Sequence, residues 1–252
     1  MRDSGRTILI LELPSGVPLY GLVGSPMEVV QFLRIAIGLS AALRGLHEGG
    51  LVHKDIKPSN VVVDATSGRA WLTGFGIASR LPRERQSPEP PEFIAGTLAY
   101  MAPEQTGRMN RSIDSRSDLY SLGVTLYQML TGSLPFTAVD PMDWMHCHIA
   151  RTAMAPSERL ASVPAALSAI VMKLLAKAAE ARYQTAAGLE RDLRRCLAEW
   201  RDRAFVGDFS LGQYDIPNRL LIPEKLYGRA REVETLLSSF DRVVKNGTRN
   251  WS

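Results

Sequence analysis

One string limits what this chain can become: His53-Lys54-Asp55-Ile56-Lys57-Pro58-Ser59-Asn60. An amphipathic, helix-like stretch precedes it and the β-branched triplet Val61-Val62-Val63 follows, so the string must form a loop between a helix and a strand. Its residue types suit phosphoryl transfer. Asp55 can accept the proton of an attacking hydroxyl, Lys57 can steady a phosphoryl group, and Asn60 can offer an amide oxygen to a metal. Taken singly, such residues would mark an ordinary polar turn.

Further strings occur downstream in a fixed order. They are Gly74-Phe75-Gly76, Gly96-Thr97-Leu98-Ala99-Tyr100-Met101-Ala102-Pro103-Glu104, Ser117-Asp118-Leu119-Tyr120-Ser121-Leu122-Gly123, and Glu180-Ala181-Arg182-Tyr183. With this order and spacing the chain resembles the protein kinase family over about residues 7 to 200, and its D-I-K-P-x-N form resembles the serine/threonine branch. The resemblance implies an α+β, mainly α fold: a protein-kinase-like large lobe with only a remnant of the small lobe, then a C-terminal linker and helix. It also implies ATP and Mg²⁺ as cofactors and a protein substrate.

Carried over residue by residue, the resemblance makes Asp55 and Lys57 catalytic and gives Asn60 to the metal and nucleotide. Glu12 and Leu13 become hinge residues whose backbone faces the adenine, and Thr97 falls in the substrate-docking loop. Structural roles go to His53, to Phe75 beneath the site, to a buried Glu104 paired with Arg182, and to Asp118 as a bond acceptor for the loop backbone around His53. A buried carboxylate needs a cationic partner; a solvated helix charge is the other reading of Arg182. As an isolated residue, Asp118 is a first-turn carboxylate favoured by the helix dipole.

One departure outweighs the matches. Where the family carries D-F-G, whose Asp holds the bridging metal, this chain has Gly74-Phe75-Gly76. Glycine offers no ligand, and the hydroxyl of Thr73 binds a hard divalent cation far less well than a carboxylate. No glycine-rich phosphate loop, strand lysine or partner glutamate precedes Thr7, so the chain is expected to begin most of the way through the small lobe. Two functions from different classes follow. One is a serine/threonine kinase domain of a bacterial signalling protein with impaired phosphoryl transfer; the other is a pseudokinase serving as an interaction or regulatory module.

Composition narrows the class further. With 252 residues, 45% of them hydrophobic, the chain can bury one substantial core and has length for a small second unit. No apolar run approaching ~20 residues and no signal peptide is evident, which points to a soluble, cytoplasmic protein without a membrane partner. Cys147 and Cys196 are too few for a disulfide framework or zinc site. The net charge of +4 comes from scattered arginines without interleaved aromatics, a solvated surface rather than a nucleic-acid site.

Local signals outline the elements. Thr7 to Leu13 reads as a strand stopped by Pro14, Gly16 and Pro18; Ser25 and Pro26 open a helix that runs to about His47 and ends at Gly49-Gly50. A hairpin joins Val61–Val63 to Ala70–Leu72. Arg80 to Phe93 has no periodicity and suits an exposed activation segment or a plain charged loop. Helices are expected from Asp118 to Leu130, Pro141 to Ala150, Leu167 to Lys177 and Ala186 to Trp200; His146 and His148, two apart on one of them, make a poor metal pair.

A linker from Arg201 to Asn218 then leads to Ile222-Pro223-Glu224-Lys225-Leu226-Tyr227-Gly228-Arg229 and a helix from about Glu232 to Val244. That tail resembles the lead-in to a P-loop ATPase module, as in bacterial proteins that place a kinase-like domain before an ATPase and a sensor histidine kinase. A C-terminal helix packed on the lobe is the plainer alternative. The expected division is 1–204 for the kinase-like domain and 205–252 for linker and ATPase-like start, with a downstream ATPase or sensor module as a possible partner.

Overall fold

The computed structural model describes residues 15–80, 98–109 and 111–216, with the backbone of residues 2–3 and 6–7. In chain order the strands and helices are β1 (Arg2–Asp3), β2 (Arg6–Thr7), β3 (Val17–Pro18), α1 (Val29–Glu48), β4 (Leu51–Val52), β5 (Val61–Val63), β6 (Ala70–Leu72), β7 (Ser79–Arg80), α2 (Ser115–Thr131), α3 (Pro141–Ile149), α4 (Pro156–Arg159), α5 (Ala165–Leu174) and α6 (Ala186–Arg203). The architecture is mainly helical, with a three-stranded antiparallel sheet β3-β5-β6 and two smaller strand pairs.

α1 buries Phe32, Leu33, Ile35, Ala36, Leu39 and Leu43, the three-and-four spacing of an amphipathic helix. It starts later than Ser25. Met27 N–H donates to Met129 O at 2.9 Å, which ties the preceding stretch to the end of α2, and Glu28 becomes the N-cap, accepting from Gln31 N at 3.0 Å. By length and composition this 20-residue helix could cross a membrane, which corrects the expectation that no segment approaches that size. Its apolar face is instead buried within the protein, against α6, β6 and α2.

Val61-Val62-Val63 forms β5, paired with β6 so that Val61 faces Leu72 and Val63 faces Ala70. Asp64 closes the hairpin: its carboxylate accepts from Thr66 N, Ser67 N and Ser67 Oγ, and those bonds hold its carboxyl below the usual range. Val17–Pro18, expected as loop, adds the third strand opposite Val62 and Val63. Proline fits there because β3 is an edge strand, where a missing N–H costs nothing.

α2 is buried along nearly its whole length and forms the centre of the core. Asp114 caps it at one end, accepting from Arg116 N at 2.8 Å. α5 and α6 complete the lobe, with Thr185 capping α6 through Gly188 N at 2.9 Å.

Beyond α6 the expected linker is a strap. Residues 204–216 turn back along α6: Gly207 N donates to Glu199, Phe209 lies under Arg195, Gly212 N donates to Asp192, and Tyr214 lies under Arg191. At its end Asp215 accepts from Gln184 N, Thr185 N and Thr185 Oγ1, so closely that Gly188 has no room for a Cβ. The folded lobe therefore extends past residue 204, to Ile216. Of the expected activation segment, Arg80 to Phe93, the first residue ends β7 opposite Leu51, and the rest, like the ATPase-like stretch and helix beyond 217, lies outside the described residues.

Candidate active site

The loop from His53 to Asn60 leaves β4 and ends in a 3₁₀ turn, Pro58–Asn60, with Pro58 at its first position. Asp118, in the first turn of α2 and fully buried, fixes the loop's start. Its two oxygens accept from His53 N at 2.8 Å, Lys54 N at 2.7 Å and His47 Nε2 at 2.9 Å, donors enough to keep a buried carboxylate satisfied. Between these anchors Lys54 adopts φ 69°, a left-handed conformation uncommon outside glycine.

His53 is fully buried and joins the loop to the chain before Gly74. Its Nδ1 accepts from Asp55 N at 3.3 Å, so Nε2 carries the hydrogen and donates to Thr73 O at 2.8 Å. Phe75 packs against its ring with centroids 4.8 Å apart.

Asp55, Lys57 and Asn60 meet at one carboxylate oxygen. Asp55 Oδ2 lies 2.8 Å from Lys57 Nζ and 2.7 Å from Asn60 Nδ2, and the same amide nitrogen donates to Asp55 O at 2.9 Å. Gly74 sits beside them with φ 78° and ψ 38°. A Cβ there would fall 2.5 Å from Asn60 Cγ and 2.6 Å from Asn60 Oδ1. The Asn60 side chain thus occupies the space that any larger residue at 74 would need, and glycine also suits the left-handed backbone.

A divalent ion fits this donor set poorly. Hard cations take several oxygen ligands, preferably carboxylates, and the carboxylate here is already tied to a lysine and an amide. Among the described residues no group of three or more His, Cys, Asp or Glu could hold a metal. His146 and His148 diverge as expected: His146 is exposed, whereas buried His148 bonds the Tyr120 hydroxyl through Nδ1 at 3.0 Å. Burial pulls the His148 pKa down to about 4, with Lys177 adding to the shift.

The second assembly lies at the base of the lobe. Glu104 and Arg182 face each other in a two-pronged ion pair, Nη1 to Oε1 at 2.7 Å and Nη2 to Oε2 at 2.9 Å. Arg182 also donates to the carbonyls of Ala176, Lys177 and Arg116, and Ser117 Oγ donates to Glu104. Burial alone would raise the Glu104 pKa, but Arg182 and Ser117 outweigh it and hold the carboxyl below its usual range. The same burial, with Arg182 nearby, lowers Lys177 to about 8.

Of the residues singled out from the sequence, His53, Asp55, Lys57, Asn60, Phe75 and Asp118 come together around the loop, and Glu104 joins Arg182. Glu12, Leu13 and Thr97 lie outside the described residues. Two contributors escaped the sequence reading. His47, noted only as a helix end, reaches Asp118, and Gln105 bridges the loop to the segment that follows Met101. For Gln105 a signal existed, a Gln at the third position after Ala102 in the manner of a capping box.

A loop of this geometry on a helical lobe defines a protein-kinase-like domain. The family model described as protein kinase domain matches residues 1–193, and the chain belongs to that family. Two of its relatives carry the name serine/threonine-protein kinase: PknB of Mycobacterium tuberculosis is 36% identical over 189 residues, covering 74% of this chain and 30% of PknB. Pkn1 of Myxococcus xanthus is 36% identical over 197 residues, 77% of this chain and 28% of that protein. Hybrid signal transduction histidine kinase G of Dictyostelium discoideum is 27% identical over 308 residues, 88% of this chain and 9% of that protein. The chain thus spans less than a third of the length of each of these relatives. The kinase family in general uses ATP and Mg²⁺.

Proposed function

We propose that this is a serine/threonine kinase domain of a bacterial signalling protein whose phosphoryl transfer is impaired at the metal step. In this reading Asp55 accepts the hydroxyl proton of a protein substrate held near Thr97, Lys57 steadies the transferred phosphoryl group, and ATP lies against the backbone of Glu12 and Leu13. One observation carries the impairment: Gly74 supplies no carboxylate, and Asn60 fills the space where one would stand. Phosphoryl transfer relies on positioning and charge stabilisation, so losing a bridging-metal ligand removes a main contribution. A general base alone contributes typically ~10²–10⁴-fold, against about 10⁶-fold or more for whole enzymes.

A second reading is a pseudokinase that serves as an interaction or regulatory module. It is favoured by the completeness of the supporting network: Asp118 and the Glu104–Arg182 pair keep every bond the fold needs although the metal ligand is missing. In both readings the domain is cytoplasmic and binds neither nucleic acid nor membrane, and an ATPase-like module begins near Ile222-Pro223-Glu224, a downstream partner for the lobe. The similarity to the hybrid histidine kinase supports such a multidomain setting.

Radiolabelled ATP with a generic Ser/Thr substrate tests the impairment. The expected result is incorporation near background with or without Mg²⁺. Robust incorporation that disappears in Asp55→Ala would restore the fully active kinase.

A further inference from the structure

The residue that places Asp55 is gripped from both sides. Lys54, immediately before it, holds φ 69°, a conformation that persists only where its surroundings determine it. Asp118 Oδ1 takes the Lys54 N–H at 2.7 Å, and Gln105 Nε2 donates to the Lys54 carbonyl at 2.8 Å. The other end of the Gln105 amide is equally engaged: Oε1 accepts from Ala102 N at 3.0 Å. One side chain therefore spans from the catalytic loop to the residue that opens Ala102-Pro103-Glu104.

We infer that Gln105 is a positioning residue: it fixes the Lys54–Asp55 peptide, hence the direction of the Asp55 carboxylate, according to the placement of the 98–106 segment. The chain of contacts is continuous. Arg182 holds Glu104, Glu104 and Gln105 share the 3₁₀ turn Pro103–Thr106, Gln105 holds Lys54, and Lys54 leads into Asp55. A shift of the turn moves the Gln105 amide, and the Lys54 carbonyl then loses its donor while its N–H stays on Asp118. The Lys54–Asp55 peptide, held at its carbonyl by Gln105 and at its N–H by the 3.3 Å bond from Asp55 N to His53 Nδ1, loses the shorter of the two.

Capping is the simpler account of the same residue. Gln105 stands third in the turn, and its Oε1 satisfies Ala102 N as a capping-box residue does. Capping explains one of the two bonds and leaves the Nε2 bond to Lys54 without purpose. Glutamate caps as well as glutamine but has no N–H to give, so Gln105→Glu separates the two roles.

The inference rests on the loop's identity as a kinase catalytic loop and is independent of whether phosphoryl transfer is impaired. Its test therefore uses no turnover. Backbone carbonyl ¹³C and amide ¹⁵N resonances of Lys54 and Asp55, amide hydrogen exchange, and the thermal midpoint are compared for the whole chain as wild type, Gln105→Glu and Gln105→Met. In Gln105→Glu the Ala102 amide stays protected and the midpoint stays near wild type. The Lys54 carbonyl resonance shifts, and the Asp55 amide, which shares that peptide, exchanges roughly tenfold faster as the loop opens locally, while the Lys54 amide stays protected on Asp118. Gln105→Met loses protection at both sites. Unchanged Lys54 and Asp55 signals in Gln105→Glu, with Ala102 still protected, would reduce Gln105 to a cap and overturn the inference. The Glu variant decides the matter even if the Met variant fails to fold.

Discussion

The cleft around Asp55 and the base around Glu104 belong to one lobe and have been treated differently. At the base, a buried carboxylate meets a guanidinium in two parallel bonds, and each remaining Arg182 donor finds a carbonyl. In the cleft, Asp55 keeps its lysine and asparagine, yet the neighbouring position that should add a second carboxylate is Gly74. The base holds the fold and cannot lose a partner without leaving a charge buried. In the proposed function the loop around Asp55 serves chemistry alone, so a ligand could vanish from it while the backbone, and Phe75 against His53, stay in place. Support and catalysis are thus separable within about one lobe's width of chain.

The largest test of that contrast is Glu104→Ala. It leaves the Arg182 guanidinium buried and unpaired, an expected loss of about 3–5 kcal/mol, read as a clear fall in the thermal midpoint. An unchanged midpoint would mean the base is no more demanding than the cleft. Acid sharpens the result. Because the folded Glu104 carboxyl is held below its usual range, its contribution is complete above the unfolded value of about 4.5 and fades as pH falls below that. A Glu104→Gln chain should lose part of this acid dependence in urea titrations from pH 6 to pH 3, whereas an identical acid limb would remove Glu104 from the account.

Gly74→Asp should have an intermediate effect. A side chain at φ 78° is strained by roughly 1–2 kcal/mol, and the new Cβ must displace the Asn60 amide from Asp55. Without metal the variant should melt lower than wild type. Added Mg²⁺ should recover part of the loss in the variant and none in wild type; equal responses would place the missing metal ligand elsewhere.

The smallest expected change is the response of wild type to Mg-ATP. At a ligand concentration equal to Kd the stabilisation is RT ln 2, about 0.4 kcal/mol, or roughly 1 °C for a domain of this size. A millimolar addition should therefore move the midpoint by about that much or less. A shift of many degrees would show that the cleft binds nucleotide tightly despite Gly74 and would erase half of the comparison.

How far the sequence reveals this depends on how local each constraint is. The loop string, the hairpin valines and the long apolar run of α2 are legible because their residues interact with near neighbours. The start of α1 is not, since Met27 is held by Met129, a partner a hundred residues away that no local signal announces. β3 escapes for the same reason: Val17 and Pro18 read as loop until Val62 and Val63 lie beside them. Gly74 is visible as a missing ligand, but the filling of its space by Asn60 is a three-dimensional fact. The strap after Arg203 has the composition of a linker, and the groups that bind it, Asp192, Arg195 and Glu199, sit on α6.

That strap also decides how the lobe answers a mechanical load. It runs antiparallel to α6, with Asp215 farthest from the turn at Ala204 and Gly207 nearest it. Tension applied at Ile216 away from the helix meets the attachments in series. Asp215 must leave Thr185 before Tyr214 leaves Arg191, then Gly212 leaves Asp192, and Phe209 and Gly207 come last. Such a zipper opens at low force, one contact at a time, whereas a strand sheared along its length must break all its bonds together. The first contact to yield is the one that holds Thr185, the N-cap of α6 and three residues from Arg182, so a gentle pull reaches the start of α6 before the rest of the helix.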